Sequence, residues 1–268
     1  MEKINLQESK KRIIIRISDE SLSFAIPKTD SSNGISAYEQ YPVNNSISMA
    51  ANLREAFGTS ELLSSGCNCA LIMLDAPVML TPIDEYQEEH EETFYTYTFP
   101  NSTPPFINCI LPEQNAVAVF AINKDLKVVI DDHFSDVRYV PVSHPVWEHL
   151  YHRSFIGERG KLFAYFHDNK MEVFCFAKNR FKYFNTFETT HANDVLYYLL
   201  HIWNQLGLNA EEDELHIAGD IPNQEWLTNQ LRRFLTRVFT IRQSIDPTQL
   251  QENKLQDIPY DLLTLLHK

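Results

Sequence analysis

Residues 161–188 read KLFAYFHDNKMEVFCFAKNRFKYFNTFE. Two polar dipeptides, Asp168-Asn169 and Lys178-Asn179, cut an apolar-rich run into three strand-length pieces, the pattern of an antiparallel meander joined by tight turns. A helix follows. In NDVLYYLLHIWNQLG (193–207), Val195, Leu199, Ile202 and Leu206 fall on one face and Gly207 stands where a helix stops. DELHIAGDIP (213–222) then reads as a fourth strand, NQEWLTNQLRRFL (223–235) as a helix and RVFTIRQ (237–243) as a closing strand.

The same order occurs earlier in the chain. RIIIRISDESLSFAIPK (12–28) alternates apolar residues on either side of a turn at Asp19-Glu20-Ser21, giving strands at 12–18 and 22–28, and a third strand is expected at 35–43. SISMAANLREAFG (46–58) is a helix with Ser46 or Ser48 as cap and Gly58 as stop, and NCALIMLDAP (68–77) is a fourth strand. Two copies of β-β-β-α-β predict an internal duplication. Between them, PVMLTP, an acidic helix at IDEYQEEHEETFYTY, strands at PFINCIL and AVAVFAI, a helix at KDLKVVIDDHF and a strand at RYVPV read as a small α+β insertion. HPVWEHLYHR closes the first half. The expected division is a first lobe over 1–155, with the insertion at about 76–130, and a second lobe over 156–268 that carries the C-terminal tail.

Composition narrows the function classes. With 268 residues, 44% hydrophobic and 22% charged, the chain can bury a sizeable core. Its net charge of -13 opposes a sequence-independent grip on nucleic acid or anionic lipid. Neither a signal peptide nor a membrane span is expected, because the apolar run after Lys10, Lys11 and Arg12 covers only Ile13–Ile15. The cysteines at 67, 69, 109 and 175 sit in strand-like stretches without the density of a disulfide scaffold, which fits a reducing cytoplasm.

A duplicated meander-helix-strand unit with an insertion in the first copy resembles the actin-like ATPase superfamily, whose two lobes each have a ribonuclease-H-like α/β fold. The layout looks most like the type IV pilus assembly platform proteins and their secretion-system relatives, and the whole chain resembles an uncharacterised family of Bacteroidetes proteins assigned this fold. Nucleotide-hydrolysing members carry an Asp at the end of the first strand, which helps hold Mg²⁺, and a Gly that lets backbone N–H groups approach the phosphates. Aligned on Leu22, this sequence has Arg16 in place of that Asp and Ser18 in place of that Gly, with Asp19 at the turn itself. Aligned on Met171, the second copy has Phe163 and Tyr165 at the matching positions. The glycine pair that packs on adenosine is reduced to Ala218-Gly219-Asp220.

The resemblance therefore implies an actin-like fold without ATPase chemistry, acting as an interaction or regulatory module with an unnamed protein partner, no cofactor and no metal. Arg16, Ser18, Asp19, Asp168, Gly219 and Asp220 are the cleft candidates. Arg16 places a cation where Mg²⁺ would sit, a repulsion of about 8 kcal/mol at about 4 Å and an effective dielectric of about 20. The alternative is an ATP- and Mg²⁺-binding protein that uses Asp19, Asp168 and Gly219 in a shifted register. A nuclease built on Asp75, Asp131 and Asp132 would need more converging carboxylates.

Other features read as structural. His144, His149 and His152 lack the spacing of a helical zinc pair, and Cys67 and Cys69 share one strand face. EYQEEHEE reads as a solvated face, and Arg232, Arg233, Arg237 and Arg242 as a basic helix surface. The leucines of YDLLTLLHK need a cover, either the protein's own body or a partner.

Overall fold

The computed structural model describes residues 12–28, 34–189, 191–241 and 258–266. Arg242 and the Gln-rich stretch up to 257 lie outside the described residues. The chain divides into two compact units, 1–112 with 116–145 and 245–268, and 113–115 with 146–244.

In the first unit, β1 (Arg12–Ile17), β2 (Leu22–Pro27) and β3 (Ile35–Tyr41) form the expected antiparallel meander. Helix α1 (Met49–Thr59) starts at Ser48, whose hydroxyl accepts from the Ala51 amide at 3.2 Å. It runs through Gly58, which the sequence reading took as its stop, and ends at Ser60. β4 (Cys69–Leu74) pairs parallel with β1. The insertion comprises β5 (Val78–Pro82), a 3₁₀ turn (Glu88–His90), α2 (Glu91–Thr98), β6 (Phe106–Leu111) and β7 (Ala116–Ala121), with its own sheet in the order β5-β7-β6. The expected acidic helix over 83–97 is shorter than its composition suggested, because only Tyr95 of α2 is buried to hold it.

After α3 (Lys124–His133) comes β8 (Asp136–Pro141), which the sequence reading assigned to the insertion. It instead pairs parallel with β4 and completes a main sheet ordered β3-β2-β1-β4-β8. Parallel pairing is non-local, so nothing within the strand's own residues announces its partner.

In the second unit, α4 (His144–Ser154, counted from Val146) precedes β9 (Lys161–His167), β10 (Lys170–Ala177) and β11 (Arg180–Glu188). Both turns have two left-handed residues, Asp168 and Asn169 (φ 44° and 59°) and Lys178 and Asn179 (φ 52° and 60°), as two-residue hairpins of the primed type require. α5 (Ala192–Gln205), β12 (Glu214–Gly219), α6 (Gln224–Leu231) and β13 (Val238–Ile241) complete a sheet ordered β11-β10-β9-β12-β13. The two main sheets share one strand order and one pattern of parallel and antiparallel pairs, so the duplication extends through the fifth strand of each.

The central strands β1, β4 and β9 are buried on both faces, whereas the edge strands β3 and β11 are partly exposed. In the second unit, Leu162, Ala164, Phe166 and Val173 pack with Leu199, Trp203, Leu227 and Leu231 of α5 and α6. On the opposite face Trp147 of α4 meets Phe181 and Phe184 edge-on, at 5.8 and 5.3 Å between ring centroids. In the first unit, Ile14, Leu71, Met73 and Val140 pack against Leu262, Leu265 and Leu266 of α7 (Tyr260–Leu266). Chain order assigned α7 to the second lobe and α4 to the first. Each helix instead covers the main sheet of the other copy, and α7 answers in cis which surface takes the terminal leucines.

Candidate functional site

The opening hairpin is closed by its own side chains. Strand alternation puts Arg16 on the same face as Ile14, toward α7, and only 3% of it is exposed. Its Nε donates to both carboxylate oxygens of Asp261, at 2.9 and 3.0 Å, and its Nη2 donates to Oδ2 at 3.0 Å. Its Nη1 donates to Ser21 Oγ at 2.9 Å. Ser21 Oγ lies 2.7 Å from Ser18 Oγ, which also accepts from the Ser21 amide at 3.1 Å, and the Ser18 amide donates to the Ser21 carbonyl at 2.9 Å. Ser18 thus closes a four-residue turn, and Asp19 stands at its exposed tip. Asp261 is fully buried, as a carboxylate can be only when paired.

The second hairpin carries a corresponding buried network. Trp147 Nε1 donates to Glu172 Oε2 at 2.9 Å, Glu172 Oε1 lies 3.4 Å from His167 Nε2, and His167 Nδ1 lies 3.2 Å from Asp168 Oδ2. Tyr165 stacks on the His167 ring at 4.8 Å. Beside this turn, Gly219 ends β12 with φ +86°, and a Cβ there would stand 2.0 Å from the Phe166 carbonyl oxygen. The glycine is therefore required by close backbone approach. The next two amides are engaged, Asp220 N on Phe166 O at 2.9 Å and Ile221 N on Gly219 O at 3.0 Å. A pocket of about 270 Å³ is lined by His167, Asp168, Asn169, Lys170, Thr189, Asp220 and Pro222.

The sequence-predicted residues thus fall into two groups. Arg16, Ser18 and Asp19 share the opening hairpin, and Asp168 and Asp220 line one pocket with Gly219 next to it. Sequence reasoning missed Asp261, Ser21, His167, Glu172 and Trp147. An acid set among the leucines of YDLLTLL was the one available signal. Of the other candidates, Asp131 sits on α3 beside Lys127 and Tyr139 rather than in an acidic centre. Arg232, Arg233 and Arg237 bond locally to Val238 O, Gln230 Oε1 and Glu211 O, at 3.3, 3.1 and 3.4 Å. His152 lies 3.0 Å from Glu113. Burial pushes the Cys109 thiol up to about 12 and Cys175 up to about 11, which makes both poor nucleophiles. Among the described residues, no helix is long and apolar enough to cross a membrane.

Comparison with known proteins agrees with this architecture. A crystal structure from Bacteroides thetaiotaomicron VPI-5482, a protein with an actin-like ATPase fold and unknown function, is 28% identical, with a TM-score of 0.76 over 90% of this chain and 94% of that one. The PilM-PilN type IV pilus biogenesis complex matches with a TM-score of 0.58 and 11% identity over 96% of each chain, a likeness of fold. No curated protein sequence matches the chain. The fold is that of the actin-like ATPases. Residues 2–238 match the family model described as protein of unknown function DUF3822, and the chain belongs to that family.

Proposed function

We propose that this protein is a non-catalytic member of the actin-like fold, acting as an interaction or regulatory module rather than as an ATPase. The observation that carries this reading is the Arg16–Asp261 pair. The position that resembles the family's metal-holding Asp bears a guanidinium whose donors are used on Asp261 and Ser21, and the side chain that replaces the phosphate-approaching Gly is bonded into the turn.

Asp261 also revises the expected reason for exclusion. It cancels most of the charge with which Arg16 would repel Mg²⁺, so exclusion rests on occupancy rather than on repulsion. In the second unit, the pocket mixes the carboxylates of Asp168 and Asp220 with His167 and Lys170, and the amides after Gly219 are bonded internally, so the backbone N–H donors that would converge on phosphate oxygens are already used. On this reading neither hairpin serves as a site for Mg²⁺·ATP. A protein partner suits the reading, and PilM, which shares the fold, is found in a complex with PilN.

A steady-state assay of phosphate release tests this. The expected result is no magnesium-dependent release above the no-protein control. Release that is abolished by Asp19→Ala would make Asp19 the working carboxylate and replace this reading with the shifted-register ATPase.

A further inference from the structure

The insertion carries a surface of one charge sign. From residue 55 to residue 123 the sequence contains no Lys or Arg, and residues 84–92 alone hold Asp84, Glu85, Glu88, Glu89, Glu91 and Glu92. Solvated faces ordinarily intersperse both signs, whereas here Glu88, Glu89 and Glu92 crowd one another with no cation in reach along the chain. The platform beneath them is firmly anchored. Tyr95 is fully buried among Val117, Val119 and Phe106, its hydroxyl donates to Pro77 O at 2.7 Å, and it accepts from the Ala121 amide at 3.2 Å. Glu91 is held by Tyr86 and by Asn108 of β6.

On this platform the apolar groups point outward. Phe94 is 51% exposed and Tyr97 is 88% exposed, one helical step of three apart. Ile110 is 53% exposed and shares a strand face with Asn108, the residue that ties β6 to α2. An anchored helix that presents two aromatic rings beside a run of carboxylates has the composition of an interface centre rather than of a solubility device.

We propose that the outer face of α2, with Phe94, Tyr97 and the flanking Glu88, Glu89 and Glu92, docks a basic amphipathic segment of a partner protein, whose Lys and Arg meet the carboxylates and whose apolar face covers the two rings. This rests on the reading of the protein as an interaction module and names its surface and partner class. Charge complementarity selects the occupant. A second copy would bring its own net charge of -13, which opposes association at long range, whereas a cationic segment is drawn in.

The test uses the full chain and two synthetic peptides of identical Lys and Leu composition, about fourteen residues long, one with helical amphipathic spacing and one scrambled. Fluorescence anisotropy at low salt should show the amphipathic peptide binding about tenfold more tightly than the scrambled one. The variant Phe94→Ser/Tyr97→Ser, which keeps every charge and changes only exposed side chains, should weaken that binding about thirtyfold. Glu211→Gln/Glu212→Gln, which removes two charges from the other unit, should leave it within about twofold. Equal binding of both peptides, or no loss on removing the rings, would overturn the proposal and reduce the surface to a diffuse acidic field. Self-association in sedimentation at low salt, abolished by the same ring substitutions, would overturn it in favour of a second copy. None of these outcomes bears on phosphate release, so this proposal and the non-catalytic reading can fail separately.

Discussion

Removing Asp261 strands Arg16 in a site where 3% of it reaches solvent, and removing Arg16 strands a fully buried carboxylate. Asp261→Asn or Arg16→Met alone should each lower unfolding stability by about 3–5 kcal/mol. The pair Arg16→Met/Asp261→Leu should recover much of that loss, because an apolar pair of similar size leaves no charge to solvate. Denaturant midpoints across the double-mutant cycle measure this. Arg16→Asp, which introduces the carboxylate that the resemblance to nucleotide-hydrolysing actin-like proteins would put there, should fail to fold stably, since it faces Asp261 with a second buried carboxylate. A different residue sets a pH dependence. His216 lies between Phe163 and Phe239, at 5.4 and 5.2 Å, with Nε2 2.9 Å from Glu214. Burial lowers its pKa and outweighs the opposing pull of Glu214. The unfolded chain therefore binds the proton more readily than the folded one. This contribution is fully present above about pH 6.5, the ordinary histidine value, and is lost as pH falls from there through the lower folded value. His216→Phe should flatten that part of the stability-against-pH curve, and an unchanged slope would locate the titration elsewhere.

Helices α4 and α7 show where sequence reading stops. The meanders, α1, α5 and the two-residue turns were legible because period-two alternation, a Ser cap and left-handed Asn or Asp are local signals. Which sheet a helix covers is decided by surfaces far away in the chain. Arg16 and Asp261 are 245 positions apart, and no spacing rule joins them. The same holds for β8, whose pairing with β4 took it out of the expected insertion. Half of the candidate site was legible for this reason. The hairpin residues were found by their place in the repeat, and their partners were not. The leucines of α7 carry the prediction at this scale. Leu265 is 1% exposed against Ile14, Leu71 and Val140, so Leu265→Ala should cost about 2–5 kcal/mol. Denaturant midpoints of the variant and the natural sequence measure this. A solvent-like cost below about 0.5 kcal/mol would mean that α7 does not dock in solution.

At the scale of the whole molecule, the chain keeps an actin-like fold while a buried Arg16–Asp261 pair sits behind its opening hairpin. Two sheets of one topology are each covered by the other copy's last helix. On the proposed non-catalytic reading, this buried pair is an internal tether where a nucleotide-binding relative would hold an external ligand. This differs from simple loss of the motif, which would leave the hairpin open to phosphate, and the difference is measurable. Titration calorimetry of the full chain with ATP, in the presence and absence of Mg²⁺, tests it most directly. The expected result is no binding tighter than about 100 μM in either condition, that is, less than about 5.5 kcal/mol. Saturable heat at micromolar Mg²⁺·ATP, lost on removing the metal, would contradict it.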